Sequence, residues 1–264
     1  MAKPELVKYH YNPSLAAAIL FAALFGLSGL LHVCQLVKGR TWYFLAFLVG
    51  ILFEVAGHAA RAYNATESPN WSSGPWTMQL LLLLLAPALY AASIYMILGR
   101  LIRLLDAEKY SIIRTRWLTK LFVLGDVVSF AVQGIGGGMM SSADDKDGLD
   151  RGQNVILAGL GVQILFFAAF ILVISIFHRR IHSQPTRASE ETPLPWKQYI
   201  LVLYFVSILI MIRSIFRLAE FGAGQTSVLQ TSEVFLYCLD TMLMFFCCVV
   251  FNLRHPSQVV QNPK

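Results

Sequence analysis

Seven long apolar runs, separated by short polar stretches, set the pattern of this chain. Residues 14–37 carry no charge, and further runs cover 42–63, 77–98, 117–140, 153–177, 198–221 and 232–253. Crossing a hydrocarbon core about 30 Å thick takes roughly 20 apolar residues in a helix. Each run is long enough to span. Each is too long for a soluble strand and lacks the apolar/polar alternation of a membrane barrel. The pattern predicts an all-α fold, a polytopic bundle of seven transmembrane helices over residues 14–253. An N-terminal segment, 1–13, precedes it and a short tail, 254–264, follows. Residues 1–13 are polar and the first run is long enough to stay in the membrane, so no cleavable leader is expected. No internal repeat is evident, which withholds support from an inverted-repeat transporter plan.

Composition strengthens this reading. Of 264 residues, 56% are hydrophobic and 14% charged, against about 25% charged in a soluble domain. A mean hydropathy of +0.60 over the whole chain excludes one anchor on a soluble domain. The basic balance, with a pI near 9.2, does not point to nucleic acid, because the lysines and arginines flank the apolar runs. Their distribution is a topology signal, since basic residues concentrate on the cytoplasmic side. With the N-terminus outside, the cytoplasmic segments hold Lys38, Arg40, Arg100, Arg103, Lys109, Arg114, Arg116, Lys120, Arg179, Arg180, Arg187, Lys197, Arg254 and Lys264. The outer segments hold only Lys3, Lys8, Lys146 and Arg151, together with the acidic stretch Asp144, Asp145 and Asp147. The expected topology is N-terminus outside and C-terminus cytoplasmic. The same side carries two glycosylation sequons, at Asn64 and Asn70.

Local breakers add detail. Pro87 lies inside the third run and is expected to kink it by removing a backbone donor. Gly136, Gly137 and Gly138 are expected to end or unwind the fourth. Residues 183–195, rich in Pro, Ser, Thr and Glu, are expected to be flexible. Cys34, Cys238, Cys247 and Cys248 all fall in apolar runs and read as small core residues.

Ionisable groups inside spans are costly, and by default each is a candidate functional residue. Here they fall on helical faces. The second span presents Glu54, His58 and Arg61. The fourth presents Asp126, Ser129 and Gln133. The sixth presents Arg213, Arg217 and Glu220, and the seventh Glu233, Tyr237 and Asp240. Four spans that each aim one polar stripe inward imply a shared polar interior, to which His32 and Gln163 add from the first and fifth. Two readings stand. One is a salt-bridge network that fixes helix packing. The other is a polar cavity that binds an amphiphile's head group or relays protons, with Arg213 and Arg217 able to grip phosphate.

Several chemistries can be weighed. A retinal protein needs a lysine in its last span, and the seventh run has none. Zinc-dependent transmembrane hydrolases use three histidines, whereas only His32 and His58 lie in spans. His178 and His182 sit in a basic run at a helix end and read as an interfacial anchor. No nucleotide-binding loop is present. The expectation is a protein that is not an enzyme, with no metal and no cofactor. Haem ligated by His32 or His58 and a metal-dependent lipid hydrolase are the distant alternatives.

The interior residues also carry a family likeness. The segments are Glu54 to Arg61, Ala86 to Arg100 with Pro87, Tyr90 and Tyr95, and Asp126 to Gln133 followed by Gly136, Gly137 and Gly138. Then come Gly159 to Gln163, Arg213 to Glu220, and Glu233 to Asp240 with Asn252 to Pro256. In this order, over roughly residues 10 to 257, the chain resembles the fungal RTA-like, lipid-translocating exporter family. His58 stands where that family commonly has tyrosine. The resemblance implies a plasma-membrane protein that exports or translocates sphingoid long-chain bases and confers tolerance to amphiphilic toxins. It implies no catalytic residues. The candidates for lining a ligand are Glu54, His58, Arg61, Tyr90, Tyr95, Asp126, Gln133, Gln163, Arg213, Arg217, Glu220, Glu233, Tyr237 and Asp240. The partners implied are membrane lipids or amphiphilic small molecules, with the basic loops open to a cytoplasmic partner. A receptor-like lipid or stress sensor without transport is the competing function.

Overall fold

The computed structural model describes residues 9, 11–143, 145–223 and 227–259. Lys3, Lys8, Asp144 and Lys264, used above for topology, lie outside the described residues, as do most of segment 1–13 and the end of the 254–264 tail. The chain is an all-α membrane protein. Seven of its helical segments are long and apolar enough to cross a bilayer, and the described residues contain no strand.

In chain order, α1 is Leu15–Gly39. A 3₁₀ turn, Trp42–Phe44, leads into α2, Leu45–Thr66. Then come α3, Ser73–Leu104, α4, Thr115–Ser141, and α5, Lys146–Ser183. The short α6, Arg187–Glu191, precedes α7, Trp196–Gly222. After the short α8, Val228–Thr231, the seventh span is composite. It begins as α9, Glu233–Leu236, passes through five π-helical residues, Tyr237–Thr241, and continues as α10, Met242–Leu253. Successive spans pack side by side from α1 to α5, α7 packs on α5, and α10 closes the ring against α1 and α7. The end at which α1 begins is called upper here and the opposite end lower. Outward faces are apolar: Leu27, Leu30 and Leu31 of α1, Leu165 and Leu172 of α5, and Leu201 and Ile208 of α7 are all exposed. That surface suits hydrocarbon, while the polar stripes turn inward.

Helix α3 is the most enclosed span and positions much of the core. Its Tyr90 stacks on Phe47 at 4.3 Å between ring centroids, and Tyr95 meets Phe170 at 4.4 Å. Gly50 of α2 makes the first contact possible, because a Cβ there would fall 2.6 Å from the Tyr90 ring.

Three sequence expectations are corrected. First, α3 and α5 are longer than their apolar runs, at 32 and 38 residues. At 1.5 Å per residue such helices reach roughly 50 Å, beyond the hydrocarbon. Hydropathy marks only the part in lipid, so the acidic stretch after Asp145 is helical, with the Asp145 carboxylate capping the Gly148 amide at 2.8 Å. Second, α4 runs unbroken through Gly136–Gly138. Of these glycines Gly136 serves close helix approach, since a Cβ there would sit 2.7 Å from the Gly152 carbonyl of α5, whereas Gly137 and Gly138 face open space. Third, the connection between α5 and α7 is packed against the lower end. Thr186 Oγ1 donates to the Leu105 carbonyl at 2.6 Å, Trp196 Nε1 donates to the Ser189 carbonyl at 3.0 Å, and Leu194 and Trp196 are buried.

Candidate functional site

Pro87 shapes the site from a distance. Lacking an N–H, it leaves the Leu83 carbonyl of α3 without its intrahelical donor. Arg213 of α7 supplies the replacement, its Nη2 donating to Leu83 O at 2.5 Å. Arg213 is held on its other side by the Asp240 carboxylate. One turn along α7, Arg217 pairs with the second oxygen of Asp240 and, at 2.9 Å, with Glu220. All four side chains are buried. Asp240 therefore bridges two guanidinium groups, a geometry in which planar forks and a carboxylate match well.

The π-helical stretch of the seventh span delivers Asp240 to that position. The Met242 amide reaches back to the Tyr237 carbonyl, five residues earlier. Such insertions are frequent at functional sites and change which side chains share a face. Beside this cluster stand Glu54 and His58 of α2, 2% and 0% exposed. Their side chains are 3.7 Å apart. Glu54 Oε1 and both His58 nitrogens have no hydrogen-bond partner among the described residues. The His58 ring is walled by Phe25 at 5.7 Å and Phe21 at 5.9 Å.

Arg61, the third member of the α2 stripe, belongs to the upper closure. Its Nη2 donates to Glu233 at 2.6 Å and to the Tyr11 hydroxyl at 2.9 Å, and its Nε donates to Tyr237 at 3.2 Å. The guanidinium lies 5.5–5.6 Å from the rings of Tyr9, Tyr11 and Tyr237. Glu233 also accepts the Ser14 amide at 3.0 Å. Tyr9 donates to Gln79 Oε1 at 2.6 Å and accepts from Asn64 Nδ2 at 3.0 Å. Burial pushes the Tyr9 phenol above its ordinary range, so it remains a neutral donor. Tyr9, Tyr11 and Ser14 thus strap the upper end shut over Arg61. The sequence marks residues 1–13 only as a polar N-terminal segment, and Tyr9, Tyr11 and Gln79 are not among the candidates it offers. The two tyrosines two positions apart were the available signal.

Asn64 needs correction. Its side chain is fully buried and the amide nitrogen that glycosylation would modify is engaged with Tyr9. Asn70 is exposed, which leaves it as the accessible sequon.

The polar stripe of α4 does not join the charged cluster. Asp126 accepts the Tyr95 hydroxyl of α3 at 3.0 Å. Gln133 donates to Gln163 of α5 at 3.1 Å, and Ser129 bonds back to the Gly125 carbonyl. The shared polar interior expected from four stripes is therefore two centres. One is built by α2, α7 and the seventh span, the other by α3, α4 and α5. Tyr90 contributes to neither; its hydroxyl meets Cys248 Sγ at 3.2 Å within the aromatic core. His32 is likewise drawn away, into a polar seam between α1 and α10. There it meets the Cys248 carbonyl at 3.2 Å, Gln35 donates to Asn252 O and Asn252 donates to Ser28.

Both histidines considered for haem are enclosed by side chains: His32 has Phe44 and Phe47 within 6 Å, and His58 has Phe21 and Phe25. Among the described residues no three His, Cys, Asp or Glu side chains gather to hold a metal ion. His178 and His182 lie with ring centroids 6.4 Å apart at the lower end of α5.

A seven-span bundle with a buried arginine–carboxylate centre defines the class, and comparison with known proteins places it. The RTA1-like protein family matches residues 47–263, and the chain belongs to that family. It is 35% identical to Protein RTA1 of Saccharomyces cerevisiae, over 97% of this chain and 87% of that one. It is 31% identical to Protoporphyrin uptake protein 1 of the same yeast, over 94% and 91% of the two chains. A more distant relative, at 24% identity over 93% and 72%, is the Sphingoid long-chain base transporter RSB1. No solved structure matches.

Proposed function

We propose that this protein binds amphiphilic lipids of the sphingoid long-chain base class inside its bundle, moves them across the membrane and so raises tolerance to amphiphilic toxins. One observation carries the reading. Glu54 is buried in the charged centre, and among the described residues it forms no ion pair with a lysine or arginine; only the His58 imidazole stands near, at 3.7 Å. Arg213 and Arg217 are already committed to Asp240 and Glu220. A carboxylate in apolar surroundings costs several kcal/mol unless a proton or a cation neutralises it. The ammonium group of a long-chain base supplies that cation, and its hydrocarbon tail suits the aromatic and aliphatic walls around Phe21 and Phe25. Glu54, His58, Arg213, Arg217, Glu220 and Asp240 form the head-group site in this scheme. Arg61, Glu233 and Tyr237 form its upper gate, and Asp126, Gln133, Gln163, Tyr90 and Tyr95 support it from the second centre and the core. The name of the long-chain base transporter among the relatives supports the substrate class. The proposal includes a plasma-membrane location with the N-terminus outside, supported by the basic residues at the lower end. It includes no catalytic step.

The test is reconstitution into phosphatidylcholine vesicles with a fluorescent long-chain base, with and without a pH gradient. The protein is expected to speed transbilayer movement, and Glu54→Gln to slow it at least tenfold at equal folded yield. Movement no faster than in protein-free vesicles overturns transport. Retained ligand binding in that case selects the receptor-like sensor.

A further inference from the structure

The lower end of the bundle holds a groove of about 510 Å³, walled by Lys109, Tyr110, Ile176, Arg179, Arg180, Ser183 and Gln184. We propose that this groove between the α3–α4 connection and the last turns of α5 is a binding site for a phosphate-bearing lipid head group. Three cationic side chains converge there with a hydroxyl and a carboxamide, and no aspartate or glutamate lines it. None of the three forms an ion pair with an acid among the described residues.

Basic residues gather at this end for topological reasons alone, so their presence is not the argument. Their state is. Four other cations of the same end are engaged: Arg187 pairs with Glu191 at 2.5 Å, Arg100 lies 4.1 Å from the centre of the Tyr43 ring, and Lys120 and Lys197 cover Trp117 and Trp196 at 5.5 Å. In the groove, Arg180 is anchored by Nη1 donating to the Tyr110 carbonyl at 3.2 Å. Lys109 lies 4.9 Å from the Tyr110 ring centre. Among the described residues the Arg179 side chain has neither an acidic partner nor an aromatic ring beneath it. The floor is thus fixed while the charges it carries repel one another, and a multiply charged anion relieves that repulsion. Guanidinium forks suit phosphate oxygens, and Ser183 and Gln184 add donors for hydroxyl groups of a head group.

Depth supports a lipid as the source. Ile176 forms the apolar edge of the groove, and one turn further up α5, Leu172 is exposed on the lipid-facing surface. A head group seated on Arg179 leaves its acyl chains beside that surface. Basic pockets between helices at this level are suited to anionic lipids. The site is separate from the one proposed for a cationic amphiphile: its charge is opposite and it lies at one end of the bundle. Failure of either leaves the other standing.

The full-length purified protein is titrated with a phosphatidylinositol phosphate, phosphatidylcholine or inorganic phosphate, reading bound mass by native mass spectrometry and thermal stability. The phosphoinositide is expected to bind and stabilise where phosphatidylcholine does not. Lys109→Gln with Arg179→Gln should weaken it about tenfold, and Arg187→Gln, outside the groove, should leave it unchanged. Arg179→Gln alone serves if the double variant folds poorly. Inorganic phosphate that protects equally, and loses its effect in the same variants, upholds the phosphate site and assigns it a soluble ligand. Equal phosphoinositide affinity in the groove variants and the unsubstituted protein, or no preference over phosphatidylcholine, overturns the proposal.

Discussion

Replacing Asp240 by asparagine tests whether the charged centre holds the bundle together. The substitution keeps the shape and removes one negative charge from a site where two guanidinium groups share it. Arg217 retains Glu220 at 2.9 Å, while Arg213 is left with the Leu83 carbonyl, a neutral acceptor. Removing one partner of a buried pair costs about 3–5 kcal/mol, because the remaining charge is neither solvated nor compensated. For a chain of this size each kcal/mol lowers Tm by roughly 2–4 °C, so a fall of roughly 6–20 °C is expected. The measurement is thermal unfolding of the purified protein in detergent, followed by tryptophan fluorescence and by the monodisperse fraction on size exclusion. A second variant separates charge from shape. Arg213→Met combined with Asp240→Asn removes the orphaned cation as well, and should recover at least half the loss, since apolar replacement of a buried pair is often close to neutral. Asp240→Asn melting within about 2 °C of the unsubstituted protein, or a double variant no better than the single, refutes the reasoning.

Other expectations follow from the same contacts. Tyr11→Phe removes a hydroxyl that accepts from buried Arg61 and should cost about 1.5–3 kcal/mol, as for hydrogen bonds to charged groups; an unchanged Tm would show that the strap does not stabilise the upper end. Gly136→Val places a side chain against the Gly152 carbonyl and should sharply reduce folded yield, whereas Gly137→Ala, with open space around it, should not; equal yields would remove the close approach of α4 and α5. In a eukaryotic host Asn70→Gln should abolish any glycan shift and Asn64→Gln should not; a glycan on Asn64 would contradict its burial against Tyr9. Burial at the lower end holds His255 down at about 4 against an ordinary 6.5, so the unfolded chain binds its proton first. Its share of stability is complete above pH 6.5 and is lost as pH falls toward 4; Tm measured across that window should fall less steeply in His255→Gln.

The seven-span architecture was legible in residue order because the bilayer demands it. A run of some 20 apolar residues has few alternatives to a spanning helix, and Glu54, Arg213, Arg217 and Asp240 cannot face lipid, so their inward orientation followed from composition and spacing alone. The limits of α3 and α5 were not legible, because hydropathy reports the hydrocarbon and not the helix. Nor was the pairing of stripes. Asp126 and Gln133 have the same polarity and periodicity as Glu54 and His58. Glycine contacts such as Gly136 against Gly152 bring α5 close to α4 and give Gln133 to Gln163, while the packing of α3 on the other side gives Asp126 to Tyr95. The link from Pro87 to Arg213 was half written in sequence: a missing N–H names the carbonyl set free, Leu83, but only the packing of α7 on α3 names the guanidinium that takes it. Asp240 reaches two arginines because the backbone around it is π-helical, a local departure that periodic reading at 3.6 residues per turn has no means to register.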